Sequence, residues 1–314
     1  MTDAPFHADI AKGPDGGRAL WRQAVDGVRL RIGLWPAAKA RGTVLLFPGR
    51  TEHIEKYGHV AAHLVAAGYG VASIDWRGQG LSDRLMDDPY RGHVGHFDDY
   101  QRDVAVLAQT AEAEGLTGPY YLLAHSMGGC IGLRALANGL DVDAAVFSAP
   151  MWGIKITPVM RRMAWVVSRL ATVAGAGGTL APGTQARSFI LKDPFEGNTL
   201  TRDRDMWAHM GDQIRAVPGL ELGGPSLDWV RHAMNECAAL ARLPSPQVPC
   251  LTFLGSNERI VDTSAIHDRM GRWPGGVLEM VDGGEHEVLM DLPGTRAAVM
   301  AQMTDFFGTA ADSA

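Results

Sequence analysis

The sequence predicts an α/β fold: a mostly parallel central sheet flanked by helices, with a helical segment inserted after the sixth strand. Three observations predict it. Short apolar runs bounded by Gly, Pro or Asp alternate with longer stretches of helical periodicity. The alternation stops between residues 150 and 240, where the chain reads as helices with Gly/Pro-rich joints, and resumes at Cys250. Hydrophobic residues make up 46% and charged residues 20% of the 314, which supports a large core and excludes a disordered or fibrous chain.

The elements follow in order. Arg18–Ala24 and Val28–Leu34 alternate apolar and polar residues and meet at Asp26-Gly27, a hairpin dipeptide, so the sheet opens with antiparallel strands. Thr43–Phe47, Gly70–Ile74, Tyr120–Ala124, Ala144–Phe147, Cys250–Leu254 and Val277–Val281 are too short for helices and too apolar for half-exposed strands. They read as buried central strands. Helices fill Tyr57–Ala67, Asp98–Glu114, Met127–Asn138, Thr263–Met270 and Thr295–Phe307. The chain thus divides into a core, 1–150 with 241–314, and an insertion, 151–240.

The net charge of −6 argues against a nucleic-acid partner, which would want a basic balance. Three cysteines are too few and too scattered for a disulfide framework or a zinc site, and their odd count fits a reducing compartment. The first residues lack the basic-then-apolar pattern of a signal peptide. No uncharged apolar run reaches the roughly 18 residues of a spanning helix. A cytoplasmic protein is expected, with contact at the inner membrane face left open. The sequence does not set the oligomeric state.

The segment Ala124-His125-Ser126-Met127-Gly128 follows a buried strand and leads directly into a helix. This is the strand–turn–helix setting of a nucleophile elbow, in which a strained turn exposes a serine hydroxyl above the sheet. Gly-x-Ser-x-Gly is the usual pattern; Ala124 replaces the first Gly. A plain helix-capping serine would need neither Gly128-Gly129 nor the apolar strand. A serine hydroxyl needs a base, and the base an orienting acid, in the chain order Ser, acid, His. His286 lies in the Gly-loosened loop after the last strand. Glu258 follows the strand before it, and Asp262, four residues on, is the alternative acid or the cap of the next helix. His53 and His125 sit in positions that pack or orient. His59 and His63 have metal-ligand spacing on a helix but no third ligand, so packing is the expected role.

The oxyanion of acyl transfer needs two backbone N–H donors, one after the nucleophile and one from an early strand–helix loop. These are Met127 and, in Phe47-Pro48-Gly49-Arg50-Thr51-Glu52-His53, Arg50, with Gly49 allowing the tight turn.

Taken together, the chain resembles the α/β-hydrolases, in particular the monoacylglycerol lipase and bacterial lysophospholipase branch. The motifs occur in order: Pro48-Gly49-x-x-Glu52-His53 with Tyr57; Asp75-Trp76-Arg77-Gly78-Gln79-Gly80-Leu81-Ser82; His125-Ser126-Met127-Gly128-Gly129; and Gly255-Ser256-Asn257-Glu258 followed by His286. The stretches 92–100, 149–153 and 223–230 are similar to the lysophospholipase members. Many relatives carry His-Gly where this chain has Pro48-Gly49, and Asp where it has Glu258. The glycine-rich 75–82 segment matches neither a phosphate loop nor a dinucleotide fingerprint, so Asp75 and Arg77 are expected to brace loops.

The resemblance implies that the insertion caps Ser126. On a helical wheel of residues 158–173, Met163, Val166, Val167 and Leu170 share one arc. Arg161, Arg162, Arg169 and Trp165 lie opposite. That pattern suits a lipid interface or a cap helix packed on its own domain. Gly49 and Trp152 are candidates for substrate binding; Trp152, Trp207 and Trp229 line an acyl pocket or belong to the core. The expected activity is serine-dependent hydrolysis of a lysophospholipid or a monoacylglycerol through an acyl-enzyme, with no cofactor or metal. The alternatives are an esterase or thioesterase for a small soluble substrate, an acyltransferase on the same triad, and a non-catalytic binding protein.

Overall fold

A computed structural model describes residues 2–311, apart from the side chains of Pro158, Arg161, Ala164 and Ala311. The N-terminal part runs β1 (Thr2–Ala4), α1 (Ala8–Ala11), β2 (Arg18–Gln23) and β3 (Arg29–Trp35). The hairpin expected at Asp26-Gly27 is present, with Gly27 at φ 88°. Next come β4 (Thr43–Phe47), α2 (Gly58–Ala66), β5 (Gly70–Asp75), α3 (Asp99–Ala113), β6 (Tyr120–His125), α4 (Met127–Ala137) and β7 (Ala144–Ser148). Four helices follow without a strand: α5 (Pro158–Val173), α6 (Phe189–Lys192), α7 (Arg204–Ala216) and α8 (Leu227–Arg242). The chain closes with β8 (Cys250–Gly255), α9 (Thr263–Gly271), β9 (Val277–Val281) and α10 (Pro293–Ala311).

The sheet has nine strands in the order β1-β2-β3-β5-β4-β6-β7-β8-β9. β1 to β3 and the β3–β5 pair are antiparallel; every pair from β5 to β9 is parallel. The sequence pattern misses β1, so the helical insertion follows the seventh strand rather than the sixth. Three residues cannot display a periodicity, and β1 forms only by pairing onto β2 at the sheet edge.

The parallel strands are buried because both faces are covered. Alternate residues feed two cores: Leu45, Phe47, Leu122 and Ala124 on one face, Val44, Leu46, Tyr121 and Leu123 on the other. β9 departs from this. Its apolar run suggests a central strand, yet it pairs on one side only, and Val277 and Met280 are exposed. The order β5-β4-β6 reverses direction at β4, which opens a crevice beyond the carboxyl ends of β4 and β6.

Three of the four inserted helices, α5, α7 and α8, start at side-chain caps. Thr157 accepts from the Met160 amide ahead of Pro158, Asp203 from those of Asp205 and Met206, and Ser226 from that of Trp229. α5 packs on α8 through buried Ser168 and a hydrogen bond from Thr172 to Asp228. Its Met163, Val166, Val167 and Leu170 face outward, 45–64% exposed. The helix thus packs on its own domain through α8, as one alternative has it, while its apolar arc is left exposed. Exposed Arg162 and Arg169 flank that arc, with Arg169 over the Trp165 ring; the Arg161 side chain lies outside the described residues. Among the described residues, no helix is long and apolar enough to cross a membrane.

Candidate active site

β6 ends at His125 and α4 begins at Met127, so Ser126 alone makes the turn. It sits at φ 49°, ψ −116°, a conformation that costs a non-glycine residue energy and must be imposed by its surroundings. The imposing contacts are backbone. Its amide donates to the Ser148 carbonyl at 3.0 Å, and its carbonyl accepts from the Met151 amide at 2.8 Å. The helix then passes so close to β4 that a Cβ at Gly128 would lie 2.1 Å from the Phe47 carbonyl oxygen. At Gly129 it would lie 2.5 Å from Pro150 Cβ. Ala124 is fully buried, and its methyl occupies room left by Gly132, whose added Cβ would meet it at 3.3 Å. The replaced glycine is thereby offset one helical turn further on.

His286 lies with Nε2 2.9 Å from Ser126 Oγ and Nδ1 2.7 Å from Glu258 Oε2. An ionised carboxylate only accepts, so Nδ1–H donates to Glu258 and Nε2 is left to accept the serine hydroxyl. Burial opposes the charge on Glu258. The hydrogen bond and charge of His286, with the amides of Ile260 (2.5 Å) and Val261 (3.1 Å), outweigh it and hold the carboxyl below its usual range. Asp262 accepts instead from the Ser264 amide at 3.1 Å and caps α9. Of the two candidate acids, Glu258 is the one brought to the histidine.

The loop after β4 is fixed from three sides. Trp76 donates to the Pro48 carbonyl (2.9 Å) and Gln79 to that of Gly49 (2.8 Å), while the Gly49 amide donates to Glu52. Among the described residues, the amides of Arg50 and Met127 have no acceptor, as an oxyanion pair requires. Gly49, a candidate for substrate binding, is held in this network and does not line the cavity over Ser126. Asp75 and Arg77 do brace loops: Asp75 pairs with Arg31 and accepts from Ile54 and Leu81, and Arg77 pairs with Asp103 and Asp26.

A cavity of about 370 Å³ opens over Ser126 and His286. Met151, Ile154, Phe189, Ile190, Leu200, Met210, Ile214, Ile260 and Val261 supply its apolar wall, much of it from the inserted helices. Trp229 lines it; Trp152 and Trp207 do not. Trp152 is a correction to the sequence reading: its ring stacks on Trp273, its Nε1 donates to the Gly129 carbonyl, and it supports the elbow from below. Trp207 packs with Phe189 and Phe195 inside the insertion.

One feature escapes the motif reading. Lys56 bridges Glu52 (2.5 Å) and Glu287 (2.6 Å); Tyr57 donates to Glu52; and His125 Nε2 lies 3.3 Å from Glu287, its ring 4.8 Å from that of His286. Burial opposes charge throughout. Even so, Glu287 and Glu52 hold Lys56 and His125 above their usual values, and His125 and Lys56 hold Glu287 well below its own. Glu52, His125 and Glu287 have metal-ligand spacing, but the Lys56 ammonium already occupies the cation position between the carboxylates. The set does not fit a metal. The i,i+4 spacing of Glu52 and Lys56 was the available signal; Glu287, 231 residues away, was not foreseeable. His59 and His63 bond the carbonyls of Leu289 and Met300 and pack, as expected.

Residues 38–293 match the model of the Hydrolase_4 family, described as Serine aminopeptidase, S33. The chain belongs to this family of α/β serine hydrolases. Among relatives in this superfamily, lysophospholipase L2 of Escherichia coli is 32% identical over 306 residues, covering 92% of this chain and 88% of the relative. The monoacylglycerol lipase of Mycolicibacterium smegmatis is 34% identical over 285 residues, covering 85% and 92%. The fold is that of a soluble variant of the Saccharomyces cerevisiae monoglyceride lipase, with a TM-score of 0.72 at 18% identity over 93% of this chain and 94% of that one. The hydrolase carries a serine, a histidine and a carboxylate in hydrogen-bonded sequence under a cavity that is mostly apolar.

Proposed function

We propose that this hydrolase releases a fatty acid from a single-chain glycerolipid, a lysophospholipid or a monoacylglycerol, through an acyl-enzyme. The observation that carries the reading is the hydrogen-bonded series Ser126–His286–Glu258 opening into an apolar cavity built largely by the insertion. Ser126 Oγ attacks the ester carbonyl while His286 Nε2 takes its proton. The Arg50 and Met127 amides hold the developing oxyanion. His286 returns the proton to the glycerol oxygen as it leaves. Water, deprotonated by the same nitrogen, then attacks the acyl-serine and frees the acid. Glu258 keeps Nδ1 protonated and offsets the imidazolium charge. The names of the lysophospholipase and monoacylglycerol lipase relatives support the lipid ester.

Residues 151–240 act as the cap. The outward apolar arc of α5, flanked by exposed Arg162 and Arg169, supports contact with a lipid surface; in this reading the enzyme works in the cytoplasm and visits the inner membrane face. The test is hydrolysis of lysophosphatidylethanolamine and a monoacylglycerol of equal chain length by the wild type and Ser126→Ala, with a short-chain ester as control. Serine-dependent release of fatty acid from either lipid is expected. Activity confined to the short ester would overturn the lipid assignment in favour of a small-ester hydrolase.

A further inference from the structure

His125 lies one residue before the nucleophile, yet the reaction scheme gives it nothing to do. Its side chain is 1% exposed, and both ring nitrogens face oxygens. Nδ1 is 3.0 Å from the Ser148 carbonyl on β7, with Ser148 Oγ at 3.2 Å. Nε2 is 3.3 Å from Glu287 Oε1 and 3.6 Å from Glu52 Oε1, an ion-pair approach that lies off the line of a hydrogen bond. A carbonyl and two carboxylates only accept. A neutral imidazole has one N–H and would turn a bare lone pair towards one of these sides, so the doubly protonated ring is the form that suits the site. Burial opposes its charge, and Lys56 repels it. Glu287 and Glu52 outweigh both and hold it above the usual histidine range.

The charges around it then balance. From the loop after β4, Glu52 and Lys56 face it; from the loop after β9, Glu287 and His286; from β7, the uncharged Ser148. Tyr57 donates to Glu52 and adds no charge. Two carboxylates thus meet one ammonium and one imidazolium. Without the imidazolium, one negative charge would be left over, beside the residue that follows His286 in the chain. His286 has to be neutral to take the Ser126 proton, and a spare carboxylate nearby favours the protonated ring. The His125 ring stands 4.8 Å from that of His286, close enough to cancel that field.

We propose that His125, as an imidazolium, is a positioning residue: it holds the histidine loop to the end of β6 through Glu287 and cancels the Glu287 charge at His286, keeping the base free to accept a proton. The inference rests on the Ser126–His286 pair of the proposed reaction and is independent of which ester is cleaved.

The experiment uses the full chain as wild type, His125→Gln, and His125→Gln combined with Glu287→Gln. It reads the rate of Ser126 labelling by a fluorophosphonate as a function of pH. The rate falls on the acid side as His286 takes up a proton. In His125→Gln that limb should move to higher pH by about 0.5–2 units, the effect of one charge at this separation in a partly hydrated site. The double variant removes one charge of each sign, so its limb should return to the wild-type position. A merely structural defect slows labelling at every pH, and the second substitution deepens it. A limb unmoved in His125→Gln, or not restored in the double variant, overturns the proposal and leaves the Ser126–His286 reading standing. A wild type that is not labelled at any pH overturns both. If the His125 variants do not fold, nitrogen NMR of the histidine-labelled wild type decides. One histidine should keep protons on both ring nitrogens well above the usual histidine range, and Glu287→Gln should abolish that signal. The absence of such a histidine in the wild type overturns the proposal.

Discussion

At the scale of single residues, the chemistry follows from how few atoms are free to move. Ser126 is held by backbone bonds in a strained turn, and His286 meets it only because Glu258 fixes the ring. Glu258→Gln keeps the shape but removes the acceptor-only carboxylate, so the amide admits the wrong imidazole tautomer. We expect kcat to fall by about 10³–10⁴-fold with little change in KM, measured on whichever lipid the wild type hydrolyses. A loss under about tenfold would contradict the assigned role. Gly128→Ala tests the elbow itself. Its Cβ would stand 2.1 Å from a backbone oxygen that cannot give way, so thermal unfolding should shift down by several degrees and activity should drop. The serine, histidine and acid were legible because each sits in a loop just past a strand with a recognisable pattern. Trp152 was not: an aromatic residue near a motif looks the same whether it lines a pocket or supports a turn.

At the scale of elements, two features govern behaviour beyond the reaction. The first is the Glu52–Lys56–Glu287 bridge, which ties the loop after β4 to the histidine loop. Lys56→Met leaves two buried carboxylates facing each other without the ammonium that bridges them. Removing one partner of such a set costs about 3–5 kcal/mol, read as a lowered denaturant midpoint. The second is α5. Its outward arc was read correctly as apolar, yet periodicity alone could not say whether that face met the core or the solvent. Met163→Glu with Leu170→Glu changes two exposed residues and should leave the melting temperature within a degree or two of the wild type. Co-sedimentation with vesicles of anionic lipid should fall by about tenfold or more, since each side chain loses its apolar transfer energy. Unchanged sedimentation would assign the arc to some other contact.

For the whole molecule, the parallel sheet and the interruption of its pattern were legible because burial on both faces leaves strands uniformly apolar. The edges were not. β1 is too short to show a period, and β9 is apolar yet half in solvent, since edge position depends on topology and not on composition. Acid stability also belongs to this scale. Burial lowers His59 from 6.5 to about 4, against its bond to Leu289. Between those values the unfolded chain binds a proton that the folded chain refuses, so stability is lost as pH falls from 6.5 towards 4. Urea titrations across that window should show a shallower pH dependence in His59→Gln than in the wild type. An identical slope would mean that His59 titrates normally in the fold.

The central claim is that Ser126 carries the acyl group of a lipid ester. The measurement that tests it most directly is mass spectrometry of acid-quenched enzyme during turnover of lysophosphatidylethanolamine. The account predicts a mass increase of one acyl chain, confined to the peptide that contains Ser126 and absent from Ser126→Ala. Continued turnover by Ser126→Ala, or an acyl group found on another residue, would contradict it.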